Sequence, residues 1–173
     1  LFYVLIYTIW LKRKTPQNIV IGGAAGALPP VIGWTIATNS ISFEPLSFFL
    51  IIFFWTPSHF WALSLYKSDD YKKAKIPMLP ITAGIESTKF NILLYAFFML
   101  PVVISPIFFG FGSIIYIILS LSMTFYYIHL CYLLFKSKSV IKSNLIARKV
   151  FVYSIFYLFF LFLLILFDNL FKL

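Results

Sequence analysis

The chain has 173 residues, 62% of them hydrophobic and only 11% charged, with a mean hydropathy of +0.98. No water-soluble domain needs that much apolar surface, whereas a helical protein embedded in a bilayer does. The net charge of +9 sits in short connectors between apolar runs, which assigns it to topology and anionic headgroups rather than to nucleic acid.

Residues 1–11, LFYVLIYTIWL, are apolar but cover only half of the roughly 20 residues a span needs. They show neither the basic start nor the small-residue cleavage site of a secretory signal. They read as the last half of a helix, and the chain as a fragment. Five full spans follow, at about 19–38, 45–66, 90–110, 113–135 and 150–171, within one transmembrane domain covering 1–173.

The connectors decide orientation. Lys12, Arg13 and Lys14 follow the first run, and Lys67, Lys72, Lys73, Lys75 and Lys89 follow the second full span. Lys136, Lys138, Lys142, Arg148 and Lys149 follow the fourth, while connectors 39–44 and 111–112 hold no basic residue. Only Lys172 falls on the opposite side. By the positive-inside rule the basic side is cytoplasmic, or its organellar equivalent.

Within 19–38, Gly22 and Gly26 form a GxxxG pair extended by Gly23, Ala24, Ala25 and Ala27, and Pro29-Pro30 break the helix after it. Small residues at that spacing serve either tight helix packing or room for a bulky ligand. In 45–66, Pro57 frees carbonyls two residues before His59. An ionisable residue inside a span is a functional hypothesis by default. His59 is either packed on such a carbonyl or acts as a ligand or proton-transfer residue. On one continuous helix His59, Leu63, Tyr66 and Asp70 share a face and rise roughly 16 Å, giving a pocket with a charged mouth and an apolar body. Trp55, Phe60 and Trp61 either pack between helices or bracket a flat macrocycle.

The connector 67–89 holds Asp69 and Asp70, the only aspartates on the basic side. Magnesium commonly binds through one or two carboxylates plus substrate phosphate oxygens, with Lys67, Lys72, Lys73 and Lys75 adding positive charge around a diphosphate. The alternative is a solvated loop of mixed charge. Residues 67–75 either extend the preceding helix or form a short surface helix, IPMLP at 76–80 terminates it, and Gly84 marks a turn. Pro101 and Pro106 bend 90–110. His129, among Tyr126, Tyr127 and Tyr132, reads as interfacial packing. Cys131 is alone, which excludes an internal disulfide and a cysteine-built metal site.

Three stretches carry a resemblance: WLKRKTPQN, TPQNIVIGGAAGALPPVIGW at 15–34, and WTPSHFWALSLYKSDDYKKAKIPMLP at 55–80. Together they resemble the haem-farnesylating branch of the UbiA-type intramembrane prenyltransferases, densely over 10–80 and only in span number and length beyond. The resemblance implies an all-α polytopic membrane bundle, with this chain as the part from the end of helix 4 through helix 9 of a nine-helix fold. It implies transfer of the farnesyl group of farnesyl diphosphate to a vinyl group of protohaem IX, giving haem O for terminal oxidases. On that basis Asp69 and Asp70 hold Mg²⁺, and with His59 they are the catalytic residues. Tyr66, Lys67, Lys72, Lys73, Arg13, Trp55 and Trp61 become the substrate-binding residues. The implied setting is a bacterial inner membrane or the mitochondrial one, with haem A synthase or oxidase assembly factors as partners downstream. Two departures stand out. The segment does not spell the DxxxD of quinone-prenylating relatives, because Lys67 and Tyr71 occupy the spacing positions, and a first aspartate-rich motif is absent. Competing readings are a relative with a quinone or aromatic acceptor, and a non-catalytic transport or oxidase assembly subunit.

Overall fold

The computed structural model describes Thr15 and residues 17–171. The apolar run 1–11 and Arg13 lie outside the described residues. Eight α-helices follow in order: α1 Asn18–Gly26, α2 Pro29–Thr38, α3 Glu44–Tyr66, α4 Ser68–Lys73, α5 Leu79–Thr82, α6 Ile85–Ile104, α7 Ile114–Lys136 and α8 Val140–Phe171, with a 3-10 stretch Ser105–Phe109 closing α6. There are no strands among the described residues. Counting α1 with α2, and α6 with its 3-10 end, five helical segments are long and apolar enough to cross a membrane.

Proline placement explains most of the segmentation. Pro29 and Pro30 occupy the opening positions of α2, where a missing N–H costs nothing; α1 has already ended at Ala27. Pro57 and Pro101 lie inside α3 and α6, and both helices continue through them. The last helix begins at Val140 rather than near 150. Its first turns carry Lys142, Arg148 and Lys149, residues that favour helix and let a span run past the hydrocarbon.

The helices α3, α6, α7 and α8 close a four-membered ring, with α6 and α8 on either side of α3 and α7 between them on the far side; α1 and α2 lie against α3. The core holds Ile51, Trp61, Ile92, Met99, Tyr127 and Leu161. Apolar burial alone does not align helices in lipid, which is as apolar as the core. Alignment comes instead from close approach and from buried polar side chains that bond across helices. Ser58 Oγ and the Tyr127 hydroxyl are 2.8 Å apart, as are Thr124 Oγ1 and the Tyr157 hydroxyl. The Tyr153 hydroxyl donates to the Met123 carbonyl at 2.9 Å, and Tyr116 to Val103 at 2.8 Å. Each such bond contributes about 0.6 kcal/mol on average, so their role is to fix register.

Two ends of the ring are tied by charge. Lys89, placed in a loop by its sequence position, is a buried residue of α6; its Nζ donates to the Ser137 carbonyl at 2.6 Å and pairs with Glu86 at 2.9 Å. It thereby caps the end of α7. At the other end, Asp168 of α8 accepts from the Ser113 amide at 2.7 Å and from the Ser113 hydroxyl. Ser113 is the N-cap of α7. The turn before it needs Gly112 at φ +104, and a Cβ there would stand 2.6 Å from Tyr116 Cδ1. Tyr116 is buried and held by its hydroxyl, so it cannot swing away. Gly112→Ala is therefore expected to destabilise the bundle by about 2 kcal/mol, read as a lowered unfolding midpoint in detergent, with little change in ligand affinity.

Candidate functional site

The site is built where α1 meets α3. Gly23 is buried, and a Cβ on it would come within 3.0 Å of Thr56 Cγ2, so this glycine sets the helix separation. Gly26 has no atom within 4 Å of where its Cβ would be. Of the GxxxG pair, Gly26 thus does no packing; the close approach to α3 is at Gly23, and Gly22, Gly23 and Gly26 border a cavity of about 440 Å³. Its walls include Asn18, Gly22, Gly26, Trp55, Phe60 and Tyr71. The room for a ligand that small residues allow is present at Gly26, and tight packing is present at Gly23.

A second chamber, about 610 Å³, lies towards the other end of the bundle between Pro29-Pro30 and α8 residues such as Leu158, Phe159 and Phe162. Ile52 and Trp55 border both chambers. Trp55 is fixed there, since its Nε1 donates to the Ser154 carbonyl of α8 at 2.9 Å.

Over the first chamber runs the connector after α3. The helix does not continue to Asp70: Lys67 leaves helical geometry at φ −111°, ψ 20°, and α4 restarts at Ser68. The single face running from His59 to Asp70 is interrupted there, and the 16 Å rise of a continuous helix does not apply. The short α4 carries Asp69 and Asp70 outward, with side chains 85% and 64% exposed. Each carboxylate faces a lysine on the same strip: Lys72 to Asp69 at 3.8 Å, Lys67 to Asp70 at 3.3 Å. Lys73 is also exposed. Tyr71, on the same helix, turns to the chamber. Burial pushes its phenol above the ordinary value, with Tyr66 and Asp70 adding to the effect, so Tyr71 stays a neutral hydrogen-bond donor at neutral pH.

No group of three or more potential metal ligands among histidine, cysteine, aspartate and glutamate occurs among the described residues. Asp69 and Asp70 still fit Mg²⁺ by donor chemistry. They are hard oxygens at an exposed mouth, suited to an ion that keeps waters and takes phosphate oxygens rather than one held in a protein cage. Consecutive helix positions project about 100° apart, so the pair does not form a ready chelate by itself.

His59 is buried, its ring stacked between Trp55 and Phe151 at centroid distances of 4.2 and 4.5 Å. The bonded nitrogen is Nδ1, 2.6 Å from Ser154 Oγ. Its partner is a serine of α8, not a carbonyl freed by Pro57. Tyr66 is half-buried at the basic end of α3, 6.2 Å edge-on from Phe151. Trp61 does not reach either chamber: it is 1% exposed and packs on Tyr95 at 5.4 Å on the α6 side of α3. Six positions separate it from Trp55, which turns it through about 240° and onto another face of the helix. Sequence reading passed over Asn18, Thr56 and Tyr71 as site residues. The signal for Tyr71 was its place beside Asp70, and for Asn18 its place as the polar residue opening an apolar run.

The profile of the UbiA prenyltransferase family matches residues 1–155. The chain is 66% identical over 169 residues to a protein of Pelagibacter ubique named protoheme IX farnesyltransferase, covering 98% of this chain and 56% of that one. Proteins of the same name from Bartonella henselae (51% identical, 91% of this chain, 50% of that one) and Parvibaculum lavamentivorans (46%, 97% and 53%) are also similar. The chain spans about half the length of the curated relatives it matches. No solved structure matches it. With glycine-lined space beside α1, an acid-and-lysine helix over it and a family profile covering most of its length, this membrane-spanning helical chain belongs to the UbiA prenyltransferase family.

Proposed function

We propose that the chain forms part of an enzyme that transfers the farnesyl group of farnesyl diphosphate to a vinyl group of protohaem IX, producing haem O for terminal oxidases. The observation that carries this reading is the pair of chambers sharing Ile52 and Trp55, the first opening under a helix of acids and lysines and the second wholly apolar in lining. That arrangement suits a substrate with a charged head and a long apolar tail, together with a flat apolar partner. The names of the relatives, protoheme IX farnesyltransferases, support the haem acceptor.

In this reading Lys67, Lys72 and Lys73 draw the diphosphate to the mouth, Tyr71 donates a hydrogen bond to it, and Asp69 and Asp70 hold Mg²⁺. When bound there, Mg²⁺ supplies positive charge that stabilises the departing diphosphate. The allylic C–O bond breaks with its electron pair leaving on diphosphate. The vinyl π pair forms the new C–C bond, and water then supplies a hydroxyl to the resulting cation and loses a proton. Trp55 and Phe60 wall the reacting end against water, and His59 belongs to the haem side. The basic ends of the spans face the cytoplasm of a bacterial inner membrane or its mitochondrial equivalent, and haem A synthase or oxidase assembly factors take the product.

The test is to assay membranes containing the full-length protein with farnesyl diphosphate, Mg²⁺ and equal amounts of protohaem and a quinone precursor. Haem gaining a farnesyl and a hydroxyl group is expected. Preferential prenylation of the quinone precursor would replace the haem reading, and transfer to neither would overturn the enzymatic one.

A further inference from the structure

Ser154 of α8 is fully buried, and its hydroxyl lies 2.6 Å from two atoms: His59 Nδ1 and the carbonyl oxygen of Phe151. A carbonyl only accepts, and two oxygens do not sit 2.6 Å apart without a proton between them. The serine proton therefore goes to Phe151, the back-bond a helical serine commonly makes. What remains on Ser154 Oγ is two lone pairs and no further proton, so the proton of the His59 contact belongs to Nδ1. In a neutral ring that leaves Nε2 unprotonated, and no partner for Nε2 occurs among the described residues. The ring cannot rotate to exchange its nitrogens, because Trp55 and Phe151 stack on its two faces and Phe60 stands edge-on at 5.0 Å. Trp55 is itself tied to the Ser154 backbone carbonyl.

We propose that Ser154 is a positioning residue: through its hydroxyl it holds His59, which itself borders neither chamber, in the Nδ1–H tautomer, so that Nε2 is left as a hydrogen-bond acceptor for a ligand or a water that reaches it past the chamber walls Trp55 and Phe60. This rests on the haem-side role given to His59 above, and it adds to that role a reason why one tautomer is selected. The proton lost by water during transfer then has a defined acceptor, Nε2, while Nδ1–H stays bonded to Ser154. A serine 95 positions away thus decides what a histidine of α3 can accept.

Ser154→Ala separates the two functions of this residue, since the Trp55 bond goes to the main chain and survives while the His59 bond is lost. The decisive readout is ¹⁵N spectroscopy of histidine-labelled full-length protein in bilayers, with His59→Gln identifying the resonances. The native protein should show a single species protonated at Nδ1 and bare at Nε2, Ser154→Ala a mixture of tautomers, and Ser154→Thr, which keeps the hydroxyl, the native species. In turnover, Ser154→Ala should lower kcat about tenfold or more with KM for farnesyl diphosphate unchanged, the range typical when a group that orients a functional histidine is removed. Native protein protonated at Nε2 or at both nitrogens, or a spectrum unmoved by Ser154→Ala, would overturn the proposal. So would a shifted tautomer with native kcat. The spectrum requires no turnover, so it tests the Ser154 assignment even if haem proves not to be the acceptor.

Discussion

Exchange of Asp69 and Asp70 together for asparagine is expected to lower farnesyl transfer by about a thousandfold or more while membrane insertion and folding stay native. Both side chains are largely exposed, and their ion-pair partners are Lys67, which precedes the short helix, and Lys72 within it. Exposed pairs of this kind add little to stability, so any large loss must come from the bound ligand. Asparagine keeps the shape and removes the charge. If the acids hold a cation against diphosphate, their loss leaves the leaving group with lysines alone. Binding of farnesyl diphosphate then persists, because Lys67 and Lys72 are released from their partners, while kcat collapses. Initial rates across a Mg²⁺ titration, with binding measured separately, check this. Undiminished Mg²⁺-dependent turnover would place the metal elsewhere.

Gly26→Phe should abolish activity by another route. A side chain at Gly26 meets no atom within 4 Å and points into the 440 Å³ chamber. If substrate occupies this chamber as proposed, a benzyl group there takes up its space without pushing on protein, so the unfolding midpoint should hold or rise while affinity falls by more than a hundredfold. Gly26→Ala, which adds one methyl to the same space, should be close to native. Substrate affinity and thermal unfolding measured on both variants decide it; equal affinity in Gly26→Phe would mean the chamber is not where substrate sits.

Local chemistry carried much of this architecture in the sequence itself. Pro29-Pro30 announced the break between α1 and α2, and the acid pair with its lysines announced a polar mouth on the basic side. A helical membrane bundle followed from hydropathy and length. What sequence left open were choices between faces and partners. Gly22, Gly23 and Gly26 all read as small, but only the path of α3 decides that Gly23 meets Thr56 while Gly26 meets space. His59 read equally as packed or functional because Ser154 lies 95 residues away. Trp61 resembled Trp55 in every local respect, and its burial against Tyr95 follows from where α6 returns. Lys89 was counted with the topological charges because nothing near it in sequence reveals that the end of α7 would need a cap.

The bond between Asp168 and Ser113 spans 55 positions and joins the turn that opens α7 to the far end of α8. During synthesis α6 and α7 emerge and enter the bilayer well before Asp168 has been made. The start of α7 must therefore wait with an incomplete cap through the translation of two helices, held only by its own serine and the adjacent glycine turn. The arrival of Asp168 closes the bundle on the side opposite the acid-and-lysine mouth. Biogenesis of this ring consequently has a late step: the ring is latched only when α8 arrives in register and Asp168 reaches Ser113.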